Sequence, residues 1–296
     1  MRYKAGILLT MVIFGTTGLV RRWLPVSSSM ISFVRSLVGV LFLGAVMACR
    51  REKPNWAALR KNALRLCLSG ALLGLGWVVL FEAYEYAPMS TVTVCYYMAP
   101  VFVVLLSPLV GERLTPMRLV CCLAAFVGMG LVCGVWQGAF TGVKGILLAL
   151  LSAGMYAAIT LVNKGVRGIR PMESTAAQLA VSALATFAYL LCTQGAALPR
   201  LDGRSAALLL VMGALHTGVA YTLYFGGLEH VPAQTAALMS YLDPIVALAL
   251  SVLVLGERLS ALSALGVALV LFSTAISETG PGIAAFFSKS CKKREG

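Results

Sequence analysis

Residues 81–114 read FEAYEYAPMSTVTVCYYMAPVFVVLLSPLVGERL, and residues 225–259 read FGGLEHVPAQTAALMSYLDPIVALALSVLVLGERL. Set about 144 residues apart, they share Phe81/Phe225, Glu85/Glu229, Pro88/Pro232, Thr91/Thr235, Tyr97/Tyr241 and Pro100/Pro244. One inserted residue before the last glycine brings Gly111-Glu112-Arg113-Leu114 onto Gly256-Glu257-Arg258-Leu259, giving 14 identities in 34 aligned positions. A repeat of this length reads as two copies of one unit, a construction common among membrane carriers.

What surrounds the repeat is apolar. The 296 residues are 59% hydrophobic and 12% charged, with mean hydropathy +0.89, about half the charge of an ordinary soluble domain. The charges form short islands between apolar runs of about 17 to 25 residues, the length that crosses a hydrocarbon core. Ten such runs are read, at 5–20, 29–49, 66–83, 91–110, 119–136, 144–162, 174–192, 206–227, 233–255 and 262–276. The expected fold is an all-α integral membrane protein with ten transmembrane helices.

The net charge of +13 would suggest nucleic acid in a soluble protein, but here its position matters more than its size. With the amino terminus in the cytoplasm, seventeen Lys and Arg fall on the cytoplasmic side. Six fall opposite, Arg21, Arg22, Lys144, Arg200, Arg204 and Arg258, while Arg35 lies within a span. The basicity is thus topology information, with both termini cytoplasmic, and no nucleic-acid partner is expected. Arg21-Arg22-Trp23-Leu24-Pro25 follows the first run where a cleavage site would need small residues, so an uncleaved helix is expected. Cys67, Cys95, Cys121, Cys122, Cys133 and Cys192 lie inside predicted spans as small hydrophobes. Neither a disulfide framework nor zinc spacing is visible, so no cofactor or metal is expected.

The copies centre on the fourth and ninth spans, five crossings apart. Five is odd, so the second copy is expected upside down relative to the first. Gly6-Ile7-Leu8-Leu9 against Gly145-Ile146-Leu147-Leu148 is a weaker echo. Two inverted five-helix repeats are expected at residues 1–137 and 138–280, followed by a basic cytoplasmic tail, 281–296.

The order and spacing of Phe81 to Pro88, Tyr97-Met98-Ala99-Pro100-Val101-Phe102 and Gly111-Glu112-Arg113-Leu114 resemble the EamA family of the drug/metabolite transporter superfamily, as do their second-half counterparts. The resemblance covers essentially the whole chain. It implies a multi-pass carrier, mostly an exporter, of a small polar or amphipathic metabolite such as an amino acid, in a bacterial cytoplasmic membrane. Glu82 and His216 depart from the common pattern, uncharged and small residues being frequent at those places.

Several polar groups are candidates for the solute path. Arg35 lies in the outer third of the second span, where a charge is costly unless it snorkels or faces a polar interior. It either fixes the bundle or receives a substrate carboxylate bidentately. Glu82 and Glu85 are three apart on one helical face. Glu85 has a repeat partner, which favours a structural role, whereas Glu82 has none and is a candidate for substrate or proton contact. Asp243 immediately precedes Pro244 inside the ninth span. Pro100 and Pro244 each remove a backbone donor and break or kink their helices, and freed carbonyls need protein or water. Asp243 is therefore the leading candidate for a protonatable coupling or binding group, or else forms a structural ion pair, with Arg35 for instance. His216 is weighed as a proton relay against an ordinary hydrogen-bonded histidine. Tyr97, Tyr221, Tyr224 and Trp77 form an aromatic wall or simply pack helices. Gly70/Gly74 and Gly130/Gly134 read as close helix contacts.

The expected function is a secondary transporter working by alternating access, as a monomer or homodimer in the lipid bilayer, with a small-molecule substrate and protons as the candidate coupling ion. The alternative is a facilitative channel or lipid-translocating protein. A membrane enzyme is disfavoured, since there are only two histidines, no His-Glu-x-x-His and no pair of aspartates on neighbouring helices; with no nucleotide-binding motif, an ATP-driven pump would need a partner chain.

Overall fold

A computed structural model describes residues 2–111, 115–133, 142–195, 201–228, 230–231 and 233–292, with the side chains of 233, 234, 237, 238 and 277–292 left out. Among these residues every regular element is helical. The chain runs through α1 (Arg2–Gly15), α2 (Thr17–Arg22), α3 (Ser28–Cys49), the short α4 (Trp56–Lys61) and α5 (Ala63–Tyr86). α6 (Met89–Tyr96), α7 (Ala99–Leu106), α8 (Pro116–Val132), α9 (Val143–Asn163) and α10 (Pro171–Gln194) follow. α11 (Gly203–Leu210) passes through a π-helical segment, Val211–Val219, into α12 (Ala220–Leu228). α13 (Ala233–Ser240), α14 (Leu242–Leu253) and α15 (Ala261–Lys292) complete it.

Seven helical tracts are long and apolar enough to cross a membrane: Arg2–Arg22, Ser28–Cys49, Ala63–Tyr86, Met89–Val110, Val143–Asn163, Pro171–Gln194 and Gly203–Leu228. Pro116–Val132, Leu242–Leu253 and Ala261–Ile276 are shorter apolar helices. Large side chains such as Leu41, Leu64, Leu184 and Phe272 stay on the outside at 64–83% exposure, a surface that needs lipid rather than water as its solvent. The stretch from residue 281, expected as a tail, continues α15 as helix to Lys292.

Helix starts follow local chemistry. Ser27, Asn55, Thr115 and Asp202 each accept a hydrogen bond from the backbone N–H three residues on, satisfying one orphan donor. The bonds from Ser205 hold the exposed Asp202 carboxyl below its ordinary range.

The prolines act before their own positions. Pro100 is the second residue of α7, and the break lies at Tyr97 and Met98. Pro244 lies in the first turn of α14, and α13 and α14 part at Tyr241. A proline has no N–H to give the carbonyl four residues earlier, so the regular helical ladder is interrupted in the turn before Pro100 and before Pro244, where each break falls. Tyr97 and Tyr241, the equivalent tyrosines of the two copies, thus stand at equivalent breaks.

Small residues set the packing. Gly128 and Gly266 press backbone to backbone, so that a Cβ on either would meet the other's carbonyl oxygen, and α8 packs on α15. Gly70 and Gly74 admit α10, through the Gln178 carbonyl and Ser182. Of the other pair anticipated in the sequence, Gly134 is outside the described residues, and Gly128 is the glycine in close contact. Other extensive contacts are α5 with α9, α3 with α10, and α3 with the π segment.

Candidate functional site

Arg35 sits 5% exposed on α3. Its Nε donates to Thr217 Oγ1 at 2.9 Å, and its guanidinium lies 4.1 Å from the Trp77 ring centroid and 5.8 Å from that of Phe81. Thr217 in turn donates to the carbonyl of Met212, five residues back, as the wider turn of the π segment allows. Among the described residues Arg35 makes no ion pair within contact distance.

Tyr221, Tyr96, Asp243 and Tyr84 are the titratable groups nearest that guanidinium in its surroundings, and among them Asp243 is the one that carries a charge when ionised near neutral pH. Asp243 lies in the first turn of α14, where free backbone N–H groups favour an anion, and the Tyr97 hydroxyl lies near its carboxylate. Asp243, Tyr96, Tyr97 and Tyr221 are all partly accessible. Edge-on aromatic contacts link these rings to their neighbours: Tyr96 with Tyr97 at 6.2 Å, Tyr96 with Tyr156 at 6.1 Å and Phe14 with Tyr221 at 5.7 Å. Gly15, at the break between α1 and α2, places a would-be Cβ 2.8 Å from the Asp243 carbonyl, so only glycine lets the two breaks meet so closely.

Other sequence candidates fall elsewhere. Glu82 accepts from Ser28 Oγ at 3.0 Å and from the Tyr86 hydroxyl at 3.3 Å. With Arg21, Ser27, Ser28 and Glu85 it lines a pocket of about 300 Å³ that includes neither Asp243 nor Tyr97. His216, 1% exposed, donates from Nδ1 to the Val211 carbonyl at 3.2 Å and shares a 2.8 Å hydrogen bond through Nε2 with Thr16, at the break in the first span. Tyr224 packs on the cluster of Ile7 and Met11, and Trp77 serves as the face on which Arg35 rests. Glu229 and Pro232 lie outside the described residues, as do residues 112–114.

Arg21, counted in the sequence as a loop charge, is 4% exposed inside α2. It pairs with Glu85 at 2.5 Å and donates to the Phe81 and Leu24 carbonyls at 3.2 and 3.0 Å and to Ser28 at 3.4 Å. It bolts three segments together at one end of the bundle, which explains Glu85 without any solute. Thr217, Tyr84 and Thr16 were not singled out in the sequence. Thr217 lies next to His216, but hydroxyls in an apolar run carry no signal of the partner they meet.

A family model described as the EamA-like transporter family matches the chain twice, over residues 3–134 and 143–279. The uncharacterized transporter YxxF of Bacillus subtilis is 26% identical over 276 residues, 92% of this chain and 88% of the relative. An uncharacterized transporter of Archaeoglobus fulgidus is 25% identical, covering 94% and 97%. Protein PecM of Dickeya dadantii is 26% identical, covering 87% and 86%. One solved protein structure superposes with a TM-score of 0.66 at 20% identity over 92% of this chain and 94% of that one, a likeness of fold alone.

Proposed function

Because the chain belongs to the EamA-like transporter family, we propose that it is a secondary carrier, in the exporting direction, moving a small metabolite across the bacterial cytoplasmic membrane by alternating access of two inverted five-helix halves. What supports this reading is the nearness of Arg35, Tyr97 and Asp243, polar groups beside two broken helices, which we read as the lining of a lumen between the halves. A cation with free donors and a carboxylate on one aromatic wall suit a dipolar solute such as an amino acid. Arg35 receives its carboxylate and Asp243 its cationic or hydrogen-bonding end.

The halves correspond to residues 1–137 and 138–280. The twofold match of the family model supports this division, and so does the contact pattern. The packing of α5 on α9 is mirrored by that of α1 on α12, and α8 on α15 and α3 on α10 are each pairs of equivalent helices. Asp243 couples transport to protons: opening the lumen changes its hydration and its approach to Arg35, so proton affinity differs between the two states. The function is tested by a thermal-shift screen of the purified protein against small metabolites. A compound that stabilises the parent more than Arg35→Lys supports the site; stabilisers indifferent to that substitution place binding elsewhere.

A further inference from the structure

The second Gly-Glu-Arg does more than end a helix. Gly256 adopts the left-handed conformation, φ 68°, just beyond α14, and the N–H of Glu257 returns to the Ser251 carbonyl at 3.0 Å. That reversal carries the Glu257 side chain across to the first half. There Oε1 accepts from Met89 N at 2.6 Å, and Oε2 accepts from Ser90 N at 2.9 Å and Ser90 Oγ at 2.7 Å. Arg22 Nη2 stands 3.9 Å from the same carboxylate and donates to the Ala87 carbonyl at 3.2 Å. The N-cap of α6 is Pro88, which has no side-chain group to offer the free N–H groups. A carboxylate 168 residues away in sequence fills that role, with its side chain 15% exposed.

We propose that Glu257 is a releasable clasp that holds the Arg21 end of the lumen shut, and that this end opens only when Glu257 lets go of α6. The clasp ties the far ends of the two interrupted helices whose breaks, at Tyr97 and Tyr241, lie part-way along the stretches 89–106 and 233–253, near Asp243. Any swing of α14 against α6 about those breaks must separate Glu257 from Met89 and Ser90. The grip has the character of a latch rather than a weld: charge-assisted bonds are strong, but a carboxylate near the mouth exchanges them for water on release. Arg22 joins the first span to the same point, so three elements come free together. This inference rests on the alternating-access reading, since a fixed pore needs no such release.

The test reads access to the lumen without any substrate. In a version with all eight cysteines replaced, Tyr221→Cys reports the lumen to a membrane-impermeant methanethiosulfonate added outside to right-side-out vesicles. Glu257→Ala is expected to raise the labelling rate about tenfold or more, the effect of losing charge-assisted bonds that favoured the closed state. Glu257→Gln, which keeps the shape and loses the charge, and Ser90→Ala, which removes one bond, are expected to give smaller rises and carry the comparison if Glu257→Ala does not reach the membrane. Arg258→Ala, an exposed neighbour, should leave the rate unchanged. Equal labelling in the parent and the Glu257 variants, even with a lowered melting temperature, makes Glu257 a static helix cap and overturns the clasp. Failure of the carrier reading appears separately, as absence of counterflow.

Discussion

Arg35 Nε donates to Thr217 Oγ1 at 2.9 Å, joining the second span to the π-helical segment of the eighth while the guanidinium rests on Trp77. That bond and the ring contact fix the orientation of a buried cation, which in the proposed site presents its amino groups to the solute. Lysine keeps the charge but has neither Nε–H nor a plane to stack. Arg35→Lys is therefore expected to raise the half-saturating substrate concentration about tenfold, ~1.4 kcal/mol of binding, with near-normal maximal rate and normal yield in membranes. Unchanged saturation would remove Arg35 from the solute path.

Asp243→Asn keeps the shape of the group beside Tyr97 and removes its titration. Gradient-driven accumulation in vesicles should vanish while exchange down a concentration gradient persists. If accumulation survives intact, another group carries the proton, and His216, tied to Thr16 beside the lumen, is next to be replaced.

How much of this was legible in the sequence depends on whether a residue's partner was near in the repeat or far across the bundle. Hydropathy and the repeat gave the helical membrane architecture, and Pro100 and Pro244 marked the two broken helices, although the breaks fall at Tyr97 and Tyr241. Asp243 stood out because a carboxylate before a proline in an apolar run has few uses. Arg21 was misplaced because its position two residues before Trp23-Leu24-Pro25 looks like a loop, and only the folded ends of α2, α3 and α5 turn it inward. The break at Gly15 and Thr16 and the π segment arise from contacts between spans, so no local pattern announced them. Glu82, set apart by its lack of a repeat partner, faces the separate pocket with Arg21.

The helix contacts make a contrast between two glycines. A Cβ on Gly70 would lie 2.6 Å from the Gln178 carbonyl, whereas one on Gly44 meets nothing within 4 Å. Gly70→Ala should destabilise by ~1–3 kcal/mol through overpacking of α5 on α10, while Gly44→Ala should be neutral or gain up to ~1 kcal/mol of helix propensity. Melting temperatures of the two purified variants decide this. Similar values for both would mean that α5 and α10 are not held at backbone contact.

Inverted halves require their ends on defined sides. Reporter fusions after Ala139 and after Lys289 should register opposite sides of the membrane, the first outside and the second in the cytoplasm. Both on one side would contradict the inversion.

Alternating access is tested most directly by counterflow. In vesicles holding the purified protein, preloading with an unlabelled stabilising compound should drive transient uphill entry of its labelled form, saturating with concentration. Entry that only equilibrates, rises linearly with concentration and ignores the preload would show a pore and contradict the carrier.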